Sequence, residues 1–403
     1  MTRVLFVDQT SQLGGAELSL LALVRARGTT AGDRIVLMED GRLAELLTAE
    51  GFDVVVAPLG GRLRNVTRGS GLRAHLAALT ATRHQLQRLR SLSAGFEAIY
   101  ANTAKSAVIA SLAFRHRAPP VIYHLRDMIT ASHFSGVNRC ALVQLANRYV
   151  ARVIANSHAT AEAFVAAGGR RRLVTVVPNG FDVGPFDVAL ARRAASHDAR
   201  GAGRASSPAA GGSVVAVFGR LAPWKGQDVA IRAVADLPGV ELWIVGEALF
   251  GEDEYAESLR GLARALGLAD RVKFLGFRDD VVELMQRADV VLHTSRAPEP
   301  FGRVVVEAML SARPLVATRG GGVEEIVDDG HTGLLATMGD SGDLARCVRR
   351  LLDDPEYAKR LALAASVTAR NRYSIVNTVA QTNAVIDAVA SPHRLHGKDS
   401  SLR

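Results

Sequence analysis

Two glutamates eight positions apart, Glu299 and Glu307, bracket the run Glu-Pro-Phe-Gly-Arg-Val-Val-Val-Glu. Pro300 and Gly302 mark a turn, and Arg303 to Ser311 has helical spacing. Glu299 therefore falls in a loop and Glu307 on the second turn of a helix. The start of such a helix offers unpaired N–H groups and a partial positive charge, a seat for phosphate oxygens or hydroxyls. Carboxylates beside it accept hydrogen bonds from hydroxyls; the bland alternative is a first-turn helix acid plus a solvated glutamate. A second candidate is Gly219-Arg220-Leu-Ala-Pro-Trp-Lys225-Gly226, where two cations follow the end of an apolar run. An Arg fork and a compact Lys charge would together neutralise a diphosphate, or simply face solvent. A third is Gly14-Gly15-Ala16-Glu17 after the first apolar run, where the glycines allow close backbone approach without the spacing of a dinucleotide fingerprint. His124, in Val-Ile-Tyr-His-Leu-Arg-Asp, ends another apolar run, and Pro178-Asn179-Gly180-Phe181-Asp182 reads first as a turn.

These residues need elements to hold them. Short β-branched runs appear at Val4–Val7, Arg34–Met38, Val54–Ala57, Ala98–Tyr100, Val121–His124, Arg152–Ala155 and Val174–Val177, with helix-period segments such as Ala16–Arg27 and Leu43–Glu50 between them. Continuous apolar strands alternating with helices predict a parallel sheet covered on both faces. Residues 184–212 are rich in Gly, Ala, Ser and Arg and read as a linker. A second series follows at Val214–Phe218, Glu241–Val245, Val272–Leu275, Val290–His293, Pro314–Ala317 and Gly333–Ala336. The expectation is α/β: two Rossmann-like, doubly wound parallel-sheet domains facing a cleft. Residues 1–183 form the first and 213–373 the second; a helix over 374–390 crosses back, and 391–403 is a disordered tail. Ligands of open parallel sheets bind beyond the carboxyl ends of strands, where the candidate residues fall.

Composition narrows the class. The chain has 403 residues, 48% of them hydrophobic, with 37 glycines, enough for two or three well-packed domains. The opening Met-Thr-Arg-Val-Leu-Phe-Val-Asp reads as a strand rather than a secretory signal, and no stretch is apolar enough to span a bilayer. Cys140 and Cys347 lie far apart, make no metal-binding pattern and read as buried structural thiols of a cytoplasmic protein. Residues 1–182 hold 22 Lys and Arg against 12 Asp and Glu, so the net charge of +9 comes entirely from the first part. Residues 60–96 carry Arg62, Arg64, Arg68, Arg73, Arg83, Arg88 and Arg90 and no acid. That segment is either a solvated basic face or a peripheral contact with an anionic membrane on its cytoplasmic side. With aromatics at 5%, a nucleic-acid partner is not expected.

From Val4 to about Ala390 the sequence resembles the large family 4 of retaining GT-B glycosyltransferases (glycosyl transferases group 1). The likeness is carried by G-G-A-E at 14–17, H-L-R-D at 124–127, V-P-N-G-F-D at 177–182, G-R-L-A-P-W-K-G at 219–226, V-G-E at 245–247, E-x7-E at 299–307 and G-G-G-V-E-E-I-V-D-D-G-H-T-G at 320–333. The resemblance implies that Arg220 and Lys225, with Gly219, bind the diphosphate of a UDP- or GDP-sugar. By the same likeness Glu307 holds the ribose, Glu299, with Phe301 and Gly302 beside it, meets the transferred hexose, and His124 reaches that sugar from the other domain. Gly15 would lie against phosphates and acceptor, and Phe277 and Arg278 near the base. Glu299, His124, Arg220 and Lys225 are the implied catalytic group. The acceptor would be a glycan, a lipid-linked or polysaccharide precursor, or a small molecule. The chain has no Asp-x-Asp, so neither metal nor other cofactor is expected, and protein cations would stabilise the departing diphosphate. The alternatives are a nucleotide-sugar epimerase of the same fold and a non-catalytic scaffold with a basic surface. Arg303 stands where many relatives have Leu; it either adds a cation that touches phosphate or acceptor or is a surface substitution, the second being the preferred reading.

Overall fold

The computed structural model describes residues 1–58, 83–115, 117–131, 133–198, 212–249 and 251–396. The chain forms two compact units, Met1–Phe181 together with the segment from Ile375 onward, and Asp182–Ser374.

Among the described residues the first unit holds seven parallel strands: β1 (Val4–Asp8), β2 (Arg34–Leu37), β3 (Asp53–Val56), β4 (Ala98–Ala101), β5 (Val121–Leu125), β6 (Val150–Ala155) and β7 (Val174–Val176). The second holds six: β8 (Val214–Phe218), β9 (Glu241–Val245), β10 (Val272–Gly276), β11 (Val290–His293), β12 (Leu315–Thr318) and β13 (Leu334–Ala336). Each agrees with its apolar run to within about two residues, ordinary scatter at element ends. In the first sheet Leu5, Val7, Ile99 and Tyr123 face one core while Val4, Phe6, Tyr100 and Ile122 face the other. Both faces are covered, which is why these strands read as unbroken apolar runs. In the second unit Val215, Val217, Leu242, Ile244, Val290 and Leu292 pack together with Val229, Leu344 and Val348 of the covering helices.

Strand order explains where chemistry can sit. The first sheet runs β3-β2-β1-β4-β5-β6-β7 and the second β10-β9-β8-β11-β12-β13. In each, the chain winds outward from its first strand and then returns to lay a strand on that strand's other side. The loops after β1 and β4, and after β8 and β11, thus diverge at a switch point and leave room for a ligand.

Several expectations change. Residues 184–198 of the expected linker are the helix Gly184–Asp198, held to its own unit by Arg370–Asp187 at 2.6 Å and by burial of Phe186 and Ala189. Ala and Arg have high helix propensity, so two apolar anchors suffice where a hydrophobic stripe is missing; residues 199–211 lie outside the described part. The last helix, Ile375–His396, continues into the expected tail, of which 397–403 lies outside. It returns to the first unit: Ile386 joins that core, and Thr378 Oγ1 donates to the Pro178 carbonyl at 2.9 Å. Gly180 is needed for this docking, because a Cβ there would lie 2.7 Å from Ile375 Cα. Cys140 is exposed and Cys347 half-buried, not the core thiols expected, since both lie on covering helices rather than strands. Most of the basic segment, residues 59–82, is outside the described part. Arg88 and Arg90 in its remainder donate inward to the carbonyls of Val56 and Ala113. Among the described residues no helix is long and apolar enough to cross a membrane.

Candidate active site

In the second unit, the turn after β8 and the loop after β11 are stitched together by backbone. Arg296 N–H donates to the Trp224 carbonyl at 2.7 Å, and Thr294 Oγ1 to the Lys225 carbonyl at 2.9 Å. Gly226 has φ +68° and sits so close that a Cβ would lie 2.1 Å from the Thr294 carbonyl oxygen. Only glycine meets both demands cheaply. The loop after β12 pins the next stretch: Gly322 N–H donates to the Glu299 carbonyl at 2.8 Å, and a Cβ on Gly321 would fall 2.2 Å from that same oxygen. The Gly-Gly-Gly run at 320–322 therefore serves the backbone of Glu299.

The stitching delivers Lys225 to Glu299, and their side chains form an ion pair. Two further groups reach the same carboxylate oxygen, Oε1: His293 Nε2 at 3.1 Å and Ser295 Oγ at 2.7 Å. Burial alone would raise the Glu299 carboxyl. The Lys225 charge and the His293 hydrogen bond outweigh it and hold the group well below the usual carboxylate range. Glu299 is thus a buried, fixed anion. Arg220 is on the same turn, its carbonyl accepting from Gln227 Nε2 at 2.9 Å, and Gly219 N–H donates to the Val245 carbonyl at 2.9 Å.

Gly302, with φ +104°, caps the helix Arg303–Leu310. Phe301 is buried edge-on against Tyr373, ring centroids 5.6 Å apart, and anchors the turn. Glu307 lies one turn into the helix and pairs with Arg303 at 3.0 Å, the two side chains 18% and 17% exposed. Arg303 is accordingly not a surface substitution: the i,i+4 spacing lays it over Glu307. Phe277, 43% exposed, and Arg278 follow β10, the edge strand, two strands from β8. Arg278 is gripped by Asp280 through two hydrogen bonds of 2.7 Å.

In the first unit three motifs converge on one buried network. Arg126 donates to Asn102 Oδ1 at 2.7 Å and to Asn179 Oδ1 at 2.6 Å, and Asn102 Nδ2 donates to Asp8 at 2.6 Å. The ends of β1, β4, β5 and the turn after β7 are so tied together. Gly14 caps the helix Gly15–Arg27, with Gly15 its first residue, and Glu17 in the first turn is buried. Burial raises Asp8 to about 6. Burial, then the charge of Asp8, raises Glu17 to about 8. His124 is buried at the end of β5 and shares a hydrogen bond between Nδ1 and the Tyr100 hydroxyl. Burial, then the charge of Arg126, pushes the imidazole well below its ordinary value, so it is neutral. Burial raises the Tyr100 hydroxyl to about 12, so it stays protonated, and Nε2 of His124 has no partner among the described residues.

His293, Ser295, Asp8, Asn102 and Arg126 were not singled out from sequence. His293 is the last residue of its apolar strand and His124 the last but one of its own, so position near a strand end is the available signal.

Over residues 204–367 the chain matches the family of glycosyl transferases group 1, and over residues 15–180 the glycosyl transferase 4-like domain. It is 35% identical over 178 residues to the lipopolysaccharide core biosynthesis glycosyltransferase LpsE of Rhizobium meliloti (strain 1021), covering 44% of this chain and 50% of that one. To a D-inositol 3-phosphate glycosyltransferase of Mycobacterium sp. (strain JLS) it is 34% identical over 224 residues, 54% of this chain and 48% of the relative. These matches span about half the length of the relatives. The crystal structure of Anabaena Alr3699/HepE in complex with UDP and glucose superposes with a TM-score of 0.82 at 36% identity, covering 96% of this chain and 100% of that one. With two doubly wound parallel sheets and these matches, the chain belongs to the group 1 glycosyltransferases of the GT-B fold.

Proposed function

We propose that this protein is a retaining glycosyltransferase that moves a hexose from a UDP-sugar to a glycan or lipid-linked acceptor without a metal ion. The observation that carries the reading is Glu299: a buried carboxylate kept ionised beside a lysine and one turn of chain ahead of the helix bearing Glu307. Such an anion is built to accept hydrogen bonds from sugar hydroxyls. Lys225 and Arg220 neutralise the diphosphate as it departs. Glu307 takes the ribose hydroxyls. Bond making and breaking occur on one face: the bond from the anomeric carbon to the phosphate oxygen breaks, the acceptor oxygen bonds to that carbon, and its proton goes to the leaving phosphate. UDP is favoured over GDP because HepE was solved with UDP-glucose. A saccharide acceptor is favoured by the lipopolysaccharide core enzyme among the relatives.

The test is a panel of UDP-, GDP-, ADP- and dTDP-sugars, read by thermal shift and nucleotide release, with Glu307→Ala alongside. A ligand at about 100 times its Kd stabilises the native state by about 2.7 kcal/mol, so a true donor stands out. One donor that raises Tm, loses that effect in the variant and turns over unchanged in EDTA supports the reading. Absence of any binding sinks it. Pelleting with anionic liposomes at low salt separates a lipid-linked acceptor from a free glycan.

A further inference from the structure

All three hydrogen bonds to the Glu299 side chain fall on one oxygen. Oε1 receives Lys225, His293 and Ser295; Oε2 receives none among the described residues. The three donors are not alike. His293 and Ser295 are buried on and just after β11, and Thr318 of the neighbouring strand donates to the Ser295 carbonyl at 2.9 Å. They cannot move without disturbing the sheet. Lys225 stands on a short turn, keeps 22% of its side chain exposed, and lies over the Trp224 ring at 4.3 Å. It is the donor free to change partner.

We propose that His293, with Ser295, is the positioning device for Glu299: the two hold Oε1 permanently, so that Oε2 faces the sugar and Lys225 can turn from the carboxylate to the incoming diphosphate. This rests on the transferase reading above. Without the clamp, Lys225 would have two duties at once. Its departure would leave a buried carboxylate with no donor, and such a group takes up a proton or swings away. With it, the carboxylate stays ionised and in place throughout. Arg303 and Glu307 pair with each other, Arg296 pairs with Asp228, and Arg319 with Asp329.

The experiment compares His293→Phe, His293→Gln and Ser295→Ala. Steady-state kinetics with the donor from the panel are measured from about pH 4.5 to about pH 9, where an acid limb reports a carboxyl group. The clamp predicts that His293→Phe lowers kcat by about 100-fold, the scale of a mispositioned group. It also predicts that the acid limb moves to higher pH while the Kd of UDP alone changes little. His293→Gln, which can still donate to Oε1, recovers much of the loss, and Ser295→Ala shifts the limb less. Equal losses in Phe and Gln with an unmoved acid limb overturn the proposal. A second readout needs no substrate. Both tryptophans, Trp224 and Trp243, lie in the second unit, so their fluorescence follows its acid unfolding. The midpoint should rise in His293→Phe, and adding that change to Glu299→Gln should move nothing further. If no sugar nucleotide binds yet the midpoints couple this way, the function fails while the clamp stands; uncoupled midpoints sink the clamp alone.

Discussion

Each unit buries carboxyl groups at the carboxyl edge of its sheet, and the two edges treat them oppositely. In the first, Asp8 and Glu17 lie near each other among asparagines, with one guanidinium already engaged by two amides. Burial raises both, to about 6 and about 8. In the second, Glu299 is as deeply buried, yet Lys225 and His293 hold it well below the usual range. Burial therefore does not decide the charge of a carboxyl; the partners supplied to it do. One edge holds Glu17 protonated at neutral pH beside an Asp8 that titrates near 6, the other keeps a fixed anion.

The strongest way to sharpen that contrast is to remove the cation. Lys225→Met should lower turnover by about 100- to 1000-fold, as for loss of a group that stabilises transition-state charge. It should also destabilise the second unit by about 2–3 kcal/mol. A fully buried pair would cost more, but His293 and Ser295 still serve the carboxylate. Glu17→Gln in the first unit should change turnover less than about twofold, since a neutral acid is replaced by a neutral amide. Urea titration and initial rates on the two variants make the comparison.

The turns differ as the acids do. Gly321→Ala should cost about 2–3 kcal/mol, because φ is +68° and the new Cβ meets the Glu299 carbonyl. Gly14→Ala should cost under about 1 kcal/mol. Its φ is −94°, and its Cβ meets only the flexible end of Glu17. A smaller effect comes from pH. A raised carboxyl binds its proton more tightly in the folded state, so stability is lost as pH rises from the unfolded values near 4 through the folded ones. The first unit should weaken progressively between about pH 5 and about pH 8.5, and Glu17→Gln should flatten the slope. Glu299 has the opposite sign: its contribution is complete above its ordinary value of 4.5 and is lost only in stronger acid. Hydrogen exchange resolved by unit checks both. The smallest effect is expected of Arg303→Leu, about 0.5–1 kcal/mol in donor KM or stability, through loss of one part-buried i,i+4 pair.

Strands and motif order were legible because a doubly covered parallel strand must be apolar along its whole length, as Val4–Asp8 and Val214–Phe218 are. The helix Gly184–Asp198 was not. Only Phe186 and Ala189 of its described apolar side chains are fully buried, and Asp187 meeting Arg370 and Arg193 meeting Gln286 tie it to its unit. At the site, Glu299, Glu307 and Lys225 announce themselves by spacing, whereas His293 hides in a hydrophobic strand and matters only through a residue six positions on. Asp8 and Asn102 hide similarly, each at the end of a different strand, because adjacency in this fold is set by strand order rather than by sequence.

The returning helix Ile375–His396 has a consequence for how the protein is made. Thr2 bonds to Asp387, Arg27 to Asn383, and Ile386 completes the core begun by Val4. On the ribosome, the first unit must therefore wait until residues 375–396 have been made. The second unit is contiguous, from Asp182 to Ser374, and can close while the first is still short of its final helix. A chain that stalls near residue 374 would leave a finished second unit tethered to an open sheet, a natural client for chaperones.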